Sequence, residues 1–342
     1  MSIHRLARDL GLSISTVSRA LNGYTDVAEV TRQRVEQRAR ELDYQPHAVA
    51  RSLKSGRSMS IGVVLPVDEV GERFIDPMYS RLLGAVDAVV QAQGYRLVAT
   101  THNVHGAEDE LALYRRFLQA RWFDAHLVVR TRRDDARVAL LQEADAPFVT
   151  YGRTVAGAHH PWVDTDNEQA FLLATQRQID FGHRHVALLN GPEVYTFSWL
   201  REQGYRRALE AAGLQPHPGS VLHGDPIEKT GYAMARQLLA RPDPPTALLC
   251  ATDAMAIGAM AACREAGRVV GRDVSVVGYG NTETGAFSNP ALTTIEHRVS
   301  DNGRLIGDLL LARLAGRTPA VWHHLEPVEL VPRASDGPLL SR

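Results

Sequence analysis

Residues 10–22 read LGLSISTVSRALN, and this stretch decides how the amino-terminal region is interpreted. Gly11 supplies the backbone conformation that a sharp turn needs, and Ser13 can cap a helix that begins directly after it. Within that helix Val17 and Ala20 share one side, as residues of an apolar core do at the helical repeat. The stretch therefore predicts the turn and the second helix of a helix-turn-helix.

The opposite side of this helix carries residues suited to the major groove of DNA. An arginine can donate two hydrogen bonds to a guanine edge, and small hydroxyl side chains allow close approach to bases and phosphates. The residues predicted to contact DNA from this stretch are Ser13, Ile14, Ser15, Thr16, Ser18, Arg19 and Asn22. The alternative is a solvated helical hairpin without a role in DNA binding.

Two further helices complete a predicted three-helix headpiece over residues 1–45. Ser2 can cap a first helix with an apolar face that ends at Leu10, and a third helix is expected from about Thr31 to Leu42. Beyond Pro46 the segment His47 to Leu53 has helical character but is too short to be stable alone in water. We predict a conditional hinge helix and linker over residues 46–58; a simple linker is the alternative.

An ordered series of motifs makes the chain similar to the lactose/galactose repressor (LacI/GalR) family. The series comprises residues 11–22, 27–35, 41–53, 61–64, 76–79, 166–167, 181–183, 251–258, 274–279, 292–295 and 329–331. The resemblance covers nearly the whole chain in family-like order. It implies a DNA-binding transcription regulator with a ligand-binding sensor.

The resemblance also assigns roles in the hinge. In that family the hinge segment folds when two copies meet in the minor groove of DNA. Leu53 would then be the wedge between base steps, and Ala50 would let the paired helices approach each other. His47, the third predicted DNA contact of the hinge, stands where the family commonly has asparagine, so helix capping departs from the family pattern here.

The charge distribution agrees with a polyanion-binding end. The chain of 342 residues has a net charge of −1, but residues 1–58 hold ten Arg or Lys and six Asp or Glu. That segment therefore carries +4 and the remainder −5, which favours nucleic-acid binding at one end. With 44% hydrophobic and 23% charged residues, the composition is that of a globular protein of two or three domains.

From residue 60 onward, apolar strand-like runs alternate with helical patterns, which predicts parallel sheets covered by helices on both faces. The expected fold is α/β: the helix-turn-helix headpiece and hinge helix joined to a two-lobed, periplasmic-binding-protein-like sensor with parallel sheets. The sensor, which also mediates dimerisation, is expected over residues 59–334. The resemblance implies lobe one at about 59–160 and 291–320, and lobe two at about 161–290 and 321–334.

Ligands of such sheets bind beyond the carboxyl ends of the strands, and between two lobes this region becomes a cleft. The residues predicted to contact an effector there are Met78, Tyr79, Arg153, Phe197, Thr252, Asp253 and Asn281. The resemblance adds Arg201, which aligns with the family arginine that reaches the ligand from the second lobe. For Asp253 helix capping is the alternative role. Phe197, Tyr79, Trp162 and Trp199 can stack on a sugar ring or belong to the core.

Two departures from sugar-sensing relatives leave the effector's identity open. Gly280 stands where many of them have an aspartate, although Asn281 can substitute, and Pro226 stands where an aromatic residue is common.

Other functional classes find no support in the sequence. The histidine pairs His159–His160, His183–His185 and His323–His324 lack a third partner at ligand spacing, and we find no catalytic constellation or nucleotide loop. We therefore expect no enzyme activity, no cofactor and no metal. Two cysteines form no disulfide framework, and neither a signal-peptide core nor an apolar run of ~18 residues is present, so we expect a cytoplasmic protein without membrane contact.

The resulting hypothesis is a cytoplasmic homodimeric repressor of carbohydrate-utilisation genes. It would bind double-stranded operator DNA and be released by a small-molecule effector, a sugar or sugar derivative. A corepressor-dependent regulator, and a solute-binding protein or an enzyme without a DNA role, are the alternatives.

Overall fold

The computed structural model describes residues 3–21, 24–42, 56–67, 78–103, 109–155, 159–318 and 321–339. The chain divides into two compact units, Met1–Ser58 and Met59–Arg342, which we call the headpiece unit and the sensor unit. Among the described residues, no helix has the length and apolar character needed to cross a membrane.

The described residues of the headpiece unit form three helices: α1 (Ile3–Leu10), α2 (Ile14–Leu21) and α3 (Glu29–Glu41). Gly11 adopts a φ of +64° between α1 and α2, which a side chain would disfavour. Leu6, Val17 and Val35, one from each helix, are completely buried in the small core. The predicted order, faces and turn of this region are confirmed.

The sensor unit alternates strands and helices, as the apolar pattern predicts. Its first part contains β1 (Ser60–Val67), α4 (Met78–Gln91), β2 (Arg96–Asn103), α5 (Glu110–Ala120), β3 (Ala125–Val129), α6 (Ala136–Glu143), β4 (Phe148–Tyr151) and β5 (Trp162–Thr165). Its middle part contains α7 (Asn167–Asp180), β6 (Val186–Asn190), α8 (Thr196–Ala211), β7 (Val221–His223), α9 (Glu228–Leu239), β8 (Ala247–Cys250), α10 (Asp253–Glu265) and β9 (Ser275–Tyr279). Its last part contains α11 (Glu283–Ala286), β10 (Thr293–Glu296), α12 (Val299–Leu314), β11 (His323–Glu326) and β12 (Glu329–Val331).

These strands form two six-stranded sheets. Sheet one has the order β11-β5-β4-β3-β1-β2 and sheet two the order β12-β10-β9-β8-β6-β7. Every pairing is parallel except that of β10 with β12. Runs such as Ala125–Val129 and Val186–Asn190 are buried throughout, as expected for parallel strands covered on both faces.

The chain passes between the sheets later than the predicted crossovers near 160, 290 and 320. Residues 162–165 and 323–326 fall in the ranges expected for lobe two, but as β5 and β11 they belong to sheet one. Residues 293–296 fall in a range expected for lobe one, but as β10 they belong to sheet two. The lobe boundaries given in the sequence analysis are wrong by these strands. The reason is physical: a crossover follows the end of a strand, and hydrogen bonding to a neighbouring strand, not local composition, decides which sheet that strand joins.

Candidate functional site

Helix α2 presents its predicted DNA-contacting face to solvent. The backbone amide of Thr16 donates a hydrogen bond of 3.0 Å to Ser13 Oγ, so Ser13 caps the helix as its position predicts. Ile14 is 41% exposed although it is apolar, and Ser15 and Arg19 are exposed beside it. A β-branched apolar residue left in water next to a hydroxyl and a guanidinium is typical of a surface that docks in a groove.

Arg19 is held at the end of this face. Its guanidinium forms an ion pair with Asp26 and lies 5.6 Å from the ring centroid of Tyr24. Both partners belong to the segment between α2 and α3, and the side chains of Arg19 and Asp26 are 45% and 47% exposed. Because exposed ion pairs are weak, a phosphate or a guanine edge can compete for this guanidinium.

Four of the predicted DNA contacts cannot be placed. Asn22, His47, Ala50 and Leu53 lie outside the described residues. The hinge and wedge roles therefore stay predictions.

A cavity of about 760 Å³ lies within the sensor unit at the carboxyl ends of both sheets. All eight residues predicted to contact an effector line it: Met78, Tyr79, Arg153, Phe197, Arg201, Thr252, Asp253 and Asn281. They come from segments that follow β1, β4, β6, β8 and β9. The strand-end rule thus brings them together, while their contact with a ligand stays a prediction.

A continuous chain of polar contacts crosses the floor of this cavity from one sheet to the other. Arg153 Nε donates to Asp164 Oδ2 at 2.9 Å, and Asp164 Oδ1 accepts from Asn167 Nδ2 at 3.2 Å. Arg201 Nε donates to Asn167 Oδ1 at 2.8 Å and its Nη1 donates to the carbonyl oxygen of Ala251 at 2.6 Å. Arg153 follows β4 and Asp164 lies in β5 of sheet one, whereas Arg201 lies in α8 and Ala251 follows β8 of sheet two, so the contacts link the two lobes.

Arg201 is the more enclosed of the two arginines in this hydrogen-bonded network. It is 6% exposed, and its guanidinium lies 3.9 Å from the ring centroid of Tyr279 and 4.8 Å from that of Phe197. Both rings therefore present π-electron density to the cation. Burial raises the pKa of Tyr279 to about 12, so the phenol stays neutral.

The carboxylate of Asp253 does not cap helix α10. Thr252 does so, because its Oγ1 accepts from the Met255 amide at 3.2 Å. Asp253 instead accepts from the Thr282 amide at 2.7 Å, from Thr282 Oγ1 at 2.9 Å and from Thr294 Oγ1 at 2.6 Å. Burial raises the pKa of Asp253 against these hydrogen bonds. The capping alternative is wrong for Asp253, which ties the loop after β9 to β10.

Asn281, which can substitute for the aspartate that is missing at Gly280, already has hydrogen-bond partners within the protein. Asn281 Nδ2 donates to Glu296 Oε2 at 2.5 Å, and Asn281 Oδ1 accepts from Arg333 Nη2 at 2.5 Å. Gly280 beside it adopts a φ of +128°, a conformation that L side chains rarely adopt. Asn281 can still offer its second amide hydrogen to a ligand, but its orientation is fixed by Glu296 and Arg333.

The aromatic candidates divide between cavity and packing. Phe197 and Tyr79 line the cavity. Trp162 stacks on His323 with ring centroids 4.8 Å apart, and Trp199 lies beside the guanidinium of Arg133. Neither tryptophan is among the described residues that line the cavity.

Glu296 Oε1 and His297 Nδ1 are buried atoms of the lining that have no hydrogen-bond partner among the described residues. Burial, reinforced by the charges of Arg201 and Arg81, lowers the pKa of His297 to about 3, so its ring is neutral at physiological pH. Buried polar atoms are normally hydrogen-bonded, so a bound molecule with several hydroxyl groups would fit these positions.

Sequence reasoning missed part of the lining: Arg130, Asp164, Thr165, Asn167, Glu296 and His297. Arg130 directly follows β3, a predicted strand, so the strand-end rule applied there would have found it. Glu296 ends β10 and His297 follows it, but β10 was not among the predicted strands. Asp164 and Thr165 had no such signal, because β5 was not predicted.

Comparisons with known proteins address both units. The model of the family described as bacterial regulatory proteins, lacI family, matches residues 2–47, and that of a periplasmic binding protein-like domain matches residues 175–335.

Whole-chain similarity extends this result. The HTH-type transcriptional regulator AglR of Rhizobium meliloti is 35% identical, with 100% of this chain and 96% of AglR covered. The structure of the Lac repressor dimer bound to operator and the anti-inducer ONPF superimposes with a TM-score of 0.84 at 28% identity, covering 98% of each chain. The structure of the transcriptional regulator CelR–cellobiose complex gives a TM-score of 0.72 at 30% identity, covering 98% of this chain and 99% of CelR.

Three observations support the same assignment. They are the headpiece with its capped, exposed second helix, the two-sheet sensor with its cavity, and the similarity over the full length of the chain. The chain belongs to the LacI family of bacterial regulatory proteins and is a DNA-binding transcription regulator.

Proposed function

We propose that this regulator is a repressor that binds operator DNA as a homodimer and is released by a sugar bound in the sensor cavity. The observation that carries the proposal is the lining of that cavity, where neutral hydrogen-bonding groups, aromatic rings and a buried guanidinium converge. Sugars present hydroxyl groups and apolar ring faces that such a lining can satisfy.

On the DNA side, Ile14, Ser15 and Arg19 of α2 read base edges in the major groove, and Ser13, Thr16, Ser18 and Asn22 support this contact. His47, Ala50 and Leu53 act in the minor groove, with Leu53 as the wedge. A homodimer presents two such heads to the two halves of a near-palindromic operator. The solved Lac repressor dimer with operator supports this arrangement by its similarity. Since its target is chromosomal DNA, we place the protein in the cytoplasm.

On the effector side, Arg201 and Asn281 donate to sugar hydroxyls, Glu296 Oε1 accepts from one, and Phe197 stacks on the ring. Met78, Tyr79, Arg153, Thr252 and Asp253 complete the eight predicted contacts. The cellobiose bound to CelR supports a carbohydrate of this kind. None of these contacts requires a charged group on the ligand, so a neutral mono- or disaccharide satisfies them.

The response follows from differential affinity. A sugar that bridges both ends of the Arg153–Asp164–Asn167–Arg201 chain favours one setting of the two lobes. It shifts the population only as far as its affinity differs between settings. If the favoured setting separates the hinge segments of a dimer, the hinge helices are lost and operator affinity falls.

The test is fluorescence anisotropy of labelled upstream DNA with the purified full-length protein, titrated with mono- and disaccharides. Release of specific DNA by one sugar at micromolar to millimolar concentration supports the proposal. Tightening of the complex by a ligand would instead establish the corepressor alternative. Binding that no sugar changes would overturn the sugar assignment and leave the DNA role intact. A solute-binding protein or an enzyme without a DNA role does not fit a member of this family.

A further inference from the structure

Three side chains that no part of the proposed function uses meet at the amino edge of sheet two. His185 directly precedes β6, His217 lies in the loop before β7, and Asp243 lies in the loop before β8. These three strands are neighbours in the order β8-β6-β7 and run parallel. Their amino ends therefore share one edge, opposite to the carboxyl edge that lines the cavity.

The donor atoms of the cluster are spaced for a metal ion. His185 Nδ1 lies 3.6 Å from Asp243 Oδ2, and His217 Nδ1 lies 3.8 Å from the same oxygen. In a tetrahedral zinc site with bonds near 2.0–2.1 Å, ligand atoms are separated by about 3.3–3.4 Å. The three donor atoms lie within 4.8 Å of one another, so both distances to the carboxylate are near the tetrahedral separation before the rings adjust.

A second, independent observation concerns His185. Its side chain is only 10% exposed, yet Nδ1 has no hydrogen-bond partner among the described residues. The other ring nitrogen, Nε2, lies 3.0 Å from Ser220 Oγ, which can accept a hydrogen bond from its N–H. With that proton on Nε2, the lone pair of Nδ1 faces the cluster, as in metal sites whose outer partner fixes the histidine tautomer.

We propose that His185 Nδ1, His217 Nδ1 and Asp243 Oδ2 bind one zinc ion, with water as the fourth ligand. Two imidazoles and a carboxylate are a ligand set that Zn²⁺ accepts. The side chain of Asp243 is 80% exposed and that of His217 is 39% exposed, so solvent reaches the open position. The ion would tie together three loops of lobe two that are far apart in sequence.

One rearrangement is part of this proposal. The rings of His185 and His217 stack with centroids 3.7 Å apart and planes 9° from parallel, whereas a metal lies near the plane of each imidazole that binds it. His217 therefore turns out of the stack on binding, which its half-exposed position permits. His185 keeps its orientation through Ser220.

The test is a competition titration of tag-free, full-length protein against a chromophoric zinc indicator, with zinc as the titrant. One saturable zinc per chain is expected, and His217→Ala and Asp243→Asn should each weaken it at least about tenfold. These two positions are at the surface, so the variants keep the core. His159→Ala, which removes an exposed histidine outside the cluster, is the matched control and should leave zinc affinity unchanged.

Thermal unfolding supplies a second readout. Zinc in excess should raise the midpoint of the wild-type protein by about 5 °C and leave the midpoints of both cluster variants unchanged. Zinc binding of equal strength in wild type and both variants would overturn the proposal, as would a wild-type protein without a saturable site. Neither readout depends on DNA or a sugar, so failure here is distinct from failure of the proposed function.

Discussion

The headpiece and sensor units keep their functional groups in opposite environments. In the headpiece Ile14 is 41% exposed and the side chain of Arg19 is 45% exposed, so recognition is carried by a surface already in water. In the sensor Arg201 is 6% exposed and Asp253 is 1% exposed, and both are fixed by protein partners. DNA contacts of the headpiece therefore compete with solvent. A ligand in the cavity has to complete a hydrogen-bond network whose groups already have mostly protein partners.

The largest effect is expected from Arg19→Ala. If Arg19 reads a base edge, each head of a dimer loses a contact worth about 1–3 kcal/mol of discrimination, so specific operator affinity falls by about 30-fold or more. Nonspecific binding should fall much less. Anisotropy with operator and scrambled DNA measures both, and Arg317→Ala, which removes an exposed cation of the sensor, is the control. Equal losses on both DNAs would exclude base reading by Arg19.

Arg201→Ala should weaken sugar binding and leave operator binding intact. It leaves Asn167 Oδ1 and the Ala251 carbonyl without their donors, and each unsatisfied buried acceptor costs about 1–3 kcal/mol. Sugar affinity is expected to fall at least tenfold while operator binding persists. Calorimetric titration with the active sugar checks the first effect and anisotropy the second. Arg201→Lys keeps the charge without the planar fork, so full recovery in that variant would contradict the hydrogen-bonding role.

A smaller effect concerns acid stability of the sensor. The folded-state pKa of His297 is lowered to about 3, whereas the unfolded value is near 6.5. Stability from this residue is therefore intact above pH 6.5 and is lost progressively as the pH falls from 6.5 towards 3, since only the unfolded chain takes up the proton. At pH 5.5 the loss is about 1 kcal/mol.

Urea unfolding of wild type and His297→Gln at pH 7.5 and 5.5 isolates this contribution. The variant should lose less stability between the two pH values than the wild type does. An identical loss in both proteins would show that His297 is not protonated differently in the two states.

The headpiece and the lining of the cavity also differ in how they could be predicted from the sequence. The headpiece could be predicted because its signals are local: the Ser13 cap, the Gly11 turn and the helical repeat all lie within one short stretch. Seven of the eight cavity positions could be predicted because strand ends of parallel sheets converge, and Arg201 followed from the family resemblance. Neither argument needs contacts between distant residues.

What could not be predicted depends on such contacts. The pairing of Arg153 with Asp164 requires β5, a strand of four residues whose sheet is set by its neighbours β4 and β11. The role of Asp253 depends on Thr282 and Thr294 from later segments. His185, His217 and Asp243 are separated by long stretches of chain, and only the strand order brings them to one edge.

The smallest effect is expected from Asp26→Asn. This variant tests whether the ion pair of Arg19 with Asp26 competes only weakly with DNA for the guanidinium. Asp26 holds Arg19 by an exposed ion pair, and such pairs are worth about 0.2–1 kcal/mol. Releasing Arg19 should therefore raise operator affinity by no more than about fivefold per head.

Glu36→Gln removes the same charge from the headpiece at a residue outside the described ion pairs of Arg19, so it corrects for reduced repulsion of DNA. A gain in Asp26→Asn beyond this control, lost again in the Arg19→Ala background, assigns the effect to the released guanidinium. An equal gain in both variants would mean that general charge repulsion, not the ion pair, limits DNA binding by this face.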